Sequence, residues 1–548
     1  MLTLFPRISR KADLLAASLV LLFLVTGILT LPNFGLTWDE GLGNLFFGER
    51  YLHYFATFNP AHLDFQAELP YNQGHLLNLF HSPFHNRPQE FPPVADTMSA
   101  ATMYFFSYAL HWMNPVDGFH LFTVILAAAF LWVLYRFAAY RLGTFEAVLA
   151  VAFFGLFPRL WGDMHFNVKD VPEAIFFGLV IISFISWLEK PRWWKAALTG
   201  ILGGLALGTK ANAVFIPFIL GIGLLPWNFD LQSWKDLLRH LKNQAFAYLA
   251  MLLAAGITYI ASWPYLYAHP YQNLRAYWDY ILSQGGRTGN PTLQIDPIRQ
   301  VVFTMPEVML AALLVGIILA FLRVKQPLWR ILITWLAFPI LRASLPGMVN
   351  FDGIRHFLEF LPPAALIAAY GIGRASSYLA DRGISLVLSR AVFTVLMVFN
   401  LLGIYLVYFP YLHVYYNQLS GGLAGARNGW LGPEAGDYWN ASYRQGMRWL
   451  SQNAPQGSIV RGMTAEWTVE LMGPLFLRPD MQVMLDEHLP DFSVLERSEH
   501  PIYLIFIIRK WNHLDELAYC QNHKTPVYQI NTAGVPILQI FQFGQNGL

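Results

Sequence analysis

Five short stretches of this 548-residue chain place charged and titratable side chains next to an apolar segment or a proline pair on one predicted side of the membrane. They are Asp39 and Glu40; Glu90; Asp163, His165, Lys169 and Asp170; Lys210; and Asp352, Arg355 and His356. Ionised groups at a membrane edge cost free energy, so each favours a functional explanation. Carboxylates and cations together suit group transfer from an anionic lipid phosphate. A carboxylate can deprotonate the incoming hydroxyl or amine, and cations can stabilise the leaving phosphate, which needs no general acid.

These residues also have structural explanations that the sequence leaves open. Asp39 and Glu40 could cap a helix, because acidic groups favour helix N-termini. Lys169 and Asp170 could form a local ion pair, and Lys210 could extend its ammonium group to the lipid headgroups.

The composition indicates an integral membrane protein. Hydrophobic residues make up 55% of the chain and charged residues 13%, whereas soluble domains average about 25% charged residues. The net charge of +2 gives no reason to expect nucleic acid as a partner. Cys520 is the single cysteine, which excludes an internal disulfide and a multi-cysteine metal site.

Apolar runs of bilayer length predict about eleven transmembrane helices. The first follows a basic N-terminus without a small-residue cleavage site, so we expect it to remain in the protein. The predicted spans are 14–31, 118–140, 145–161, 171–188, 195–208, 211–226, 243–262, 303–322, 327–345, 356–374 and 390–410.

Basic residues orient these spans. With the N-terminus in the cytoplasm, every predicted cytoplasmic loop is basic, as the positive-inside rule requires. The loops contain Arg136 and Arg141; Lys190, Arg192 and Lys195; Lys235, Arg239 and Lys242; Arg323, Lys325 and Arg330; and Arg374, Arg382 and Arg390. The five stretches of charged and titratable residues then lie together on the opposite, extracytoplasmic face of an inner or plasma membrane.

The same face receives the long segments of the chain. We expect a membrane domain over 1–415 with outer-face loops 33–117 and 264–301, in which 94–113 forms a surface helix. Residues 416–548 have ordinary composition. Helix-like stretches at 443–453 and 512–521 and strand-like stretches at 458–461, 502–508 and 535–543 predict a small extracytoplasmic α/β domain.

Several of these stretches resemble one family of membrane enzymes. Trp38-Asp39-Glu40 is similar to an acidic pair in its first outer loop, and Gly208-Thr209-Lys210 to its Thr-Lys turn. Phe91-Pro92-Pro93, Asp170-Val171-Pro172 and Arg355-His356 resemble its His-Pro-Pro, Asp-Pro and Arg-Tyr/His elements, with departures at Phe91 and Val171. Together they resemble the GT-C glycosyltransferases, in the branch of protein O-mannosyltransferases and lipid A aminoarabinose transferases.

The resemblance implies an inverting, hexosyl- or mannosyl-type transferase that takes its sugar from a polyprenyl phosphate. Asp39 would be the base, with Glu40 and Asp170 also in the catalytic set. Lys210, Arg355 and His356 would hold the donor phosphate, while His165 and Lys169 would contact substrate. The acceptor would be a protein hydroxyl, a lipid or a glycan. No metal or other cofactor is expected, although Asp39, Glu40, Asp163 and His165 could bind a hard cation.

Three other functions stay open at this point. A transporter or flippase of lipid-linked sugars would also need helices and membrane-edge charge, but such proteins usually show internal repeats, and none is evident. An oligosaccharyltransferase-like enzyme would need a divalent metal and a tryptophan-aspartate motif, which Asp437-Tyr438-Trp439 matches weakly. A non-catalytic partner in sugar-polymer assembly would tolerate loss of Asp39.

Overall fold

The computed structural model describes residues 10–67, 87–226, 231–287, 292–348, 350–484, 489–509 and 513–544. Most of these residues are helical. The α-helices are α1 (Arg10–Thr30), α2 (Leu45–Thr57), α3 (Val94–Met103), α4 (Pro115–Arg141), α5 (Thr144–Gly155), α6 (Pro158–Asp163), α7 (Asp170–Glu189), α8 (Trp193–Leu207), α9 (Ile216–Leu224), α10 (Leu231–Asn243), α11 (Ala245–Ser262), α12 (Tyr265–Ala268), α13 (Pro270–Arg287), α14 (Asp296–Thr304), α15 (Glu307–Phe321), α16 (Pro327–Ser344), α17 (Leu361–Asp381), α18 (Leu386–Tyr408), α19 (Gly422–Asn428), α20 (Tyr443–Asn453), α21 (Glu466–Phe476), α22 (Phe492–Glu496) and α23 (Leu514–His523).

The apolar helices make this a multi-pass membrane protein. Within the described ranges, five helices are long and apolar enough to cross a bilayer: Lys11–Asn33, Pro115–Arg141, Asp170–Glu189, Ala245–Ser262 and Leu386–Tyr408. A sixth span results if α14 and α15, which meet at 118°, count as one. Every predicted span contains a helix. The others are shorter, bent or more polar, so the number of about eleven crossings stays a prediction.

Helix α7 lies at the centre of the bundle. In its most apolar stretch 89% of the residues are buried within the protein, against 22% for α1 and 6% for α11. A helix that is apolar on all sides must be covered, whereas α1 and α11 keep apolar faces for lipid. The functional residues at the start of α7 are therefore surrounded by protein.

Small residues bring neighbouring helices together. A Cβ on Gly316 of α15 would lie 2.1 Å from the Ile367 carbonyl oxygen of α17, and one on Gly371 of α17 would lie 2.4 Å from that of Ala312. Only glycine permits this approach, as is usual between membrane helices. The contact fixes α17, whose N-terminal end carries part of the site.

The described part of the C-terminal segment contains a five-stranded sheet, and the sequence predicts three of its strands. Its strands are β1 (Ile459–Gly462), β2 (Gln482–Val483), β3 (Ile502–Ile507), β4 (Tyr528–Thr532) and β5 (Val535–Phe543), in the order β2-β1-β3-β5-β4. β1 runs parallel to β2 and β3, and β5 runs antiparallel to β3 and β4. The pattern did not reveal β2, β4 or α21, because β2 is only two residues long and β4 alternates weakly. The boundary at 415/416 stays a prediction.

Helices are also present in the long outer segments. α2 and α3 lie in 33–117, and α12, α13 and the start of α14 lie in 264–301. The helix predicted at 94–113 is observed as α3, which continues into a wider π-helical turn, Tyr104–Ala109; its position along the membrane surface stays a prediction. Of these elements, α2 packs against the segment after α1, and α3 contacts the residue before α7 through Asp96 and Lys169.

Candidate active site

Arg355 lies at the centre of a cluster of charged side chains. It begins a short 3₁₀ helix, Arg355–Phe360, that leads directly into α17. Its Nη1 lies 3.5 Å from Asp39 Oδ2 and 3.3 Å from Asp170 Oδ2, and its Nη2 donates to Asp352 Oδ2 at 3.1 Å. Burial acts to lower the pKa of Arg355, but the three carboxylates together raise it above its ordinary value. One buried guanidinium thus joins three segments of the chain.

Asp170 is also paired with Lys210, in the turn between α8 and α9. The Lys210 Nζ lies 2.5 Å from Asp170 Oδ1. Asn167 Oδ1 accepts from the backbone nitrogen of Asp170 at 2.8 Å, and its Nδ2 donates to Asp170 Oδ2 at 3.0 Å. Asn167 therefore caps the first turn of α7 and orients the carboxylate between Lys210 and Arg355.

Asp39 differs from the other carboxylates in its access to solvent. Its side chain is 39% exposed, whereas those of Asp170 and Asp352 are 2% and 5% exposed. The surrounding protein still removes much of its water and raises the pKa of Asp39, and the nearby Arg355 charge offsets only part of this effect. A carboxylate with a raised pKa and an open side can accept a proton from an incoming group.

A strained turn positions Asp352. Asp352 and Gly353 have φ angles of +59° and +76°, in the left-handed region. A Cβ on Gly353 would lie 2.4 Å from Arg159 Nη1, so a side chain there would displace that guanidinium. A non-glycine residue at positive φ costs on the order of 1–3 kcal/mol, which its surroundings must offset.

Lys169, a predicted substrate contact, is bound by its neighbours. Its Nζ lies 2.6 Å from Asp96 Oδ2 and also donates to the backbone oxygen of Pro92. Asp96 accepts a second hydrogen bond, from Asn44 Nδ2 at 3.2 Å. Burial raises the pKa of Asp96 to about 6 and lowers that of Lys169. The ion pair connects α3 to the residues just before α7.

Glu40 is held apart from the Arg355 cluster. Its Oε2 accepts from the Thr37 backbone nitrogen at 2.7 Å and from the Thr37 hydroxyl at 2.9 Å. Its Oε1 lies 3.0 Å from His120 Nε2, and the side chain is only 1% exposed. These contacts favour a structural role in the turn after Thr37 over the catalytic role that the sequence suggested.

His165 and Asp163 also point to structural partners. His165 Nδ1 is 2.6 Å from the Trp161 carbonyl oxygen, and its Nε2 is 2.7 Å from the Thr30 hydroxyl. Burial lowers the pKa of His165 to about 4, so the ring stays neutral. Asp163 accepts from the Tyr438 hydroxyl at 2.8 Å, and burial raises the pKa of Asp163 to about 6.

His356 follows Arg355 and presents its ring beside the cluster. The ring packs edge-on against Phe351 at a centroid distance of 4.7 Å. Its backbone oxygen accepts from Arg342 Nη2 at 2.7 Å and Asn212 Nδ2 at 3.1 Å. The ring Nε2 is buried and makes no hydrogen bond to any described residue. It can therefore form a hydrogen bond with a substrate oxygen, in keeping with its predicted role in holding the donor phosphate.

The C-terminal segment contributes two residues that the sequence did not link to this cluster: Arg509, and Trp439 of the weak Asp437-Tyr438-Trp439 match. The Arg355 guanidinium lies 4.5 Å above the ring of Trp439. Arg509 Nη2 lies 2.9 and 3.1 Å from the two oxygens of Asp352. The available signal was a basic residue at the carboxyl end of an apolar strand, and nothing in the sequence linked that strand to Asp352.

The described residues do not assemble a metal site. Nowhere among them do three His, Cys, Asp or Glu side chains gather in a way that could hold an ion. The alternative cation ligands named above are separated by their own partners: Glu40 by Thr37 and His120, and His165 by Trp161.

The cluster combines an accessible carboxylate with fixed cations. Asp39 can take a proton, while Lys210 and Arg355 can bind an anion by exchanging part of their contact with Asp170. The remaining predicted residues, Glu40, His165 and Lys169, are bound to partners in the segments around it, and their roles in catalysis and substrate contact stay predictions. This arrangement suits displacement of an anionic leaving group by a deprotonated nucleophile.

Comparisons with known proteins identify the fold. No family model matches the chain, and no curated protein matches it by sequence. The chain resembles the crystal structure of ArnT from Cupriavidus metallidurans bound to undecaprenyl phosphate, with a TM-score of 0.50 and 13% identity over 97% of this chain and 98% of that one. The apo form of that protein gives a TM-score of 0.48 at 16% identity, covering 96% and 98%. The Archaeoglobus fulgidus oligosaccharyltransferase gives 0.43 at 12%, covering 89% of this chain and 69% of that one.

Proposed function

We propose that this protein, which has the GT-C fold, is an inverting glycosyltransferase that takes its sugar from a polyprenyl-phosphate donor. The observation that carries the proposal is the position of Arg355 between Asp39 and Asp170, with Lys210 on the other oxygen of Asp170. These four residues come from the segment after α1, the start of α7, the α8–α9 turn and the entry to α17. Stability alone does not require four distant segments to deliver two carboxylates and two cations to one point.

In the proposed reaction Asp39 deprotonates the acceptor hydroxyl or amine. The acceptor atom then forms a bond to the anomeric carbon as the bond from that carbon to the phosphate oxygen breaks. The phosphate leaves with the electron pair, and the acceptor proton remains on Asp39. Attack opposite the leaving group inverts the anomeric carbon, so one displacement completes the transfer.

Lys210, Arg355 and His356 would hold the donor phosphate. A phosphate near Arg355 competes with Asp39 and Asp170 for the guanidinium, which would release Asp39 to act as the base. The Nε2 of His356, which has no hydrogen-bond partner within the described ranges, adds a group that can bind a phosphate or sugar oxygen. The ArnT structure of the same fold was solved with undecaprenyl phosphate, which supports a polyprenyl phosphate as the donor lipid.

The positive charge that stabilises the leaving phosphate would come from the side chains of Lys210 and Arg355. Two fixed positive groups face the proposed phosphate site, so charge developing on the leaving group can be stabilised without a bound ion. We therefore propose transfer without an obligatory metal. The active face would be extracytoplasmic. The basic loops are predicted to lie in the cytoplasm, and the cluster lies at the other ends of the spans. The acceptor class, whether protein, lipid or glycan, is to be identified by assay.

Native mass spectrometry of the detergent-purified protein tests the donor class directly. The protein would be exposed to undecaprenyl phosphate and to a panel of polyprenyl-phosphate sugars, with and without chelator. Selective retention of one sugar in the presence of chelator is the expected result. Lys210→Met should weaken retention, whereas Lys235→Met, at an exposed position on α10, should not.

Two results would redirect the proposal. Equal retention of bare and sugar-loaded lipid phosphates, without any transfer, would favour a flippase or an assembly partner. Retention abolished by chelator and restored by a divalent ion would instead favour a metal-dependent enzyme.

A further inference from the structure

The carboxyl edge of the C-terminal sheet faces the Arg355 cluster. β1 and β3 are parallel, so the chain leaves both strands at the same edge, which is where α/β sheets commonly place functional residues. Arg509 follows β3, and Trp467 lies in the first turn of α21, after β1. Trp467 Nε1 donates to the Trp38 backbone oxygen at 3.3 Å, and the two indole rings meet edge to face at 5.1 Å.

Arg509 binds two elements of the site at once. Its guanidinium lies 5.0 Å above the ring of Trp38, the residue before Asp39. Its Nη2 contacts both oxygens of Asp352, at 2.9 and 3.1 Å, and its Nη1 donates to the backbone oxygen of Tyr438. The Arg509 side chain is 17% exposed and that of Asp352 is 5% exposed, so water screens this pair little.

Asp352 is shared between two guanidinium groups. Its Oδ2 accepts from Arg355 Nη2 at 3.1 Å as well as from Arg509. With both cations present, Asp352 is held on two sides, and Arg355 keeps Nη1 directed at Asp39 and Asp170. Without Arg509, the full charge of a buried carboxylate would act on Arg355 alone and draw the guanidinium toward Asp352.

We propose that Arg509 is a positioning residue, which acts through Asp352 to hold Arg355 in the geometry that binds the donor phosphate. The C-terminal segment is then a part of the phosphate site and does more than cover it. This inference rests on the proposed function for its ligand, a polyprenyl phosphate. Its geometric content, the dependence of Arg355 on Arg509, can be measured without any ligand.

The test uses the full-length purified protein with undecaprenyl phosphate as the probe. Arg509→Lys keeps the charge but loses the planar guanidinium, in which Nη2 contacts Asp352 while Nη1 donates to the backbone oxygen of Tyr438. It should raise the dissociation constant by about 10-fold, in the range expected for one charge-assisted hydrogen bond. Arg448→Lys is the matched control, because Arg448 of α20 also reaches the N-terminal segment, at the Pro32 oxygen 2.9 Å away, but contacts no carboxylate of the cluster. It should change the constant by less than about 2-fold.

A double-mutant cycle separates positioning from a general structural role. If Arg509 acts through Asp352, then Arg509→Lys added to Asp352→Asn should weaken binding no further. Losses that multiply would overturn the inference, as would wild-type affinity in Arg509→Lys. If Arg448→Lys weakened binding as much as Arg509→Lys, the effect would be a general loss of stability, and the inference would be overturned.

Hydrogen exchange provides the readout that needs no ligand. Arg509→Lys should speed amide exchange in the segment around Asp352 and Arg355, and Arg448→Lys should not. Unchanged exchange would contradict the positioning role. If the wild-type protein binds no polyprenyl phosphate but exchange responds as expected, the proposed function fails and the inference about Arg509 stands.

Discussion

The replacement Asp39→Asn separates catalysis from stability. Asparagine keeps the shape of the side chain but cannot take the acceptor proton. General-base catalysis contributes about 10²–10⁴-fold, so transfer should fall by at least about 10²-fold. Folding should change little, because Asp39 is 39% exposed and its ion pair with Arg355 is 3.5 Å long. Partly exposed pairs of this kind contribute less than about 1 kcal/mol.

Asp170→Asn provides the contrast. Its carboxylate is 2% exposed and lies within 3.3 Å of Arg355 and 2.5 Å of Lys210. Removal of a buried charge that holds two cations costs on the order of 3–5 kcal/mol. This variant should therefore lose stability as well as activity, and a lower yield of folded protein would accompany its lower rate.

Three measurements on one preparation make the comparison: thermal unfolding in detergent, retention of undecaprenyl phosphate, and the rate of sugar transfer. Asp39→Asn should unfold like the wild type, bind undecaprenyl phosphate at least as tightly because a competing carboxylate is gone, and fail only in transfer. Asp296→Asn is the matched control, since Asp296 is 53% exposed and pairs with Arg299 at 3.3 Å. Transfer at the wild-type rate by Asp39→Asn would refute the assignment of the base. The Asp39 side chain makes no capping hydrogen bond to the following helical turn, so a failure to fold would show a structural role through its contact with Arg355 instead.

Further predictions concern single groups of the site. Lys210→Met should weaken undecaprenyl phosphate binding by about 10- to 100-fold, the contribution of a charge-assisted contact, as measured by titration in native mass spectrometry. The proposed transfer needs Asp39 in its ionised form, and the pKa of Asp39 is raised. The rate should therefore fall as the pH drops through a value above the ordinary carboxyl pKa of about 3.9. A wild-type pH–rate profile without this fall at low pH would exclude Asp39 as the base. Glu40→Gln should lower the free energy of unfolding by about 1–3 kcal/mol, because it weakens the buried contacts with Thr37 and His120. Its kcat should stay within about 3-fold of the wild-type value. A loss of kcat as large as that of Asp39→Asn would instead support a catalytic role for Glu40. Chelator should leave the transfer rate unchanged.

The sequence predicted the helical membrane domain and five of the ten described C-terminal α-helices and strands because their signals are local. Long apolar runs gave the helices, and alternating or continuous apolar residues gave β1, β3 and β5. The predicted stretch 443–453 coincides with α20. The strand β2 is only two residues long and α21 contains an internal proline, Pro474, so neither gives a clear periodic signal.

Part of the charged cluster could also be predicted. Asp39, Asp170, Lys210 and Arg355 each stand at the end of an apolar segment, and a common side of the membrane brings such ends together. Arg509 could not be found in this way. Its place in the cluster depends on how the sheet docks on the segment after α1, which is a tertiary contact without a sequence signal. The role of Glu40 was equally hidden, because its partner His120 lies on another helix.

The contact between Trp38 and Trp467 has a consequence for the biogenesis of the protein. These residues are 429 positions apart, and Arg444 joins the Phe34 oxygen across 410 positions. The segment that carries Asp39 leaves the ribosome early. Its contact residues Arg444 and Trp467 are synthesised only when most of the chain has been made. Contacts between such distant residues form late, since the loop between them must first close. A nascent or truncated chain would therefore be inserted in the membrane but inactive, so that competence for transfer arises only when synthesis is nearly complete.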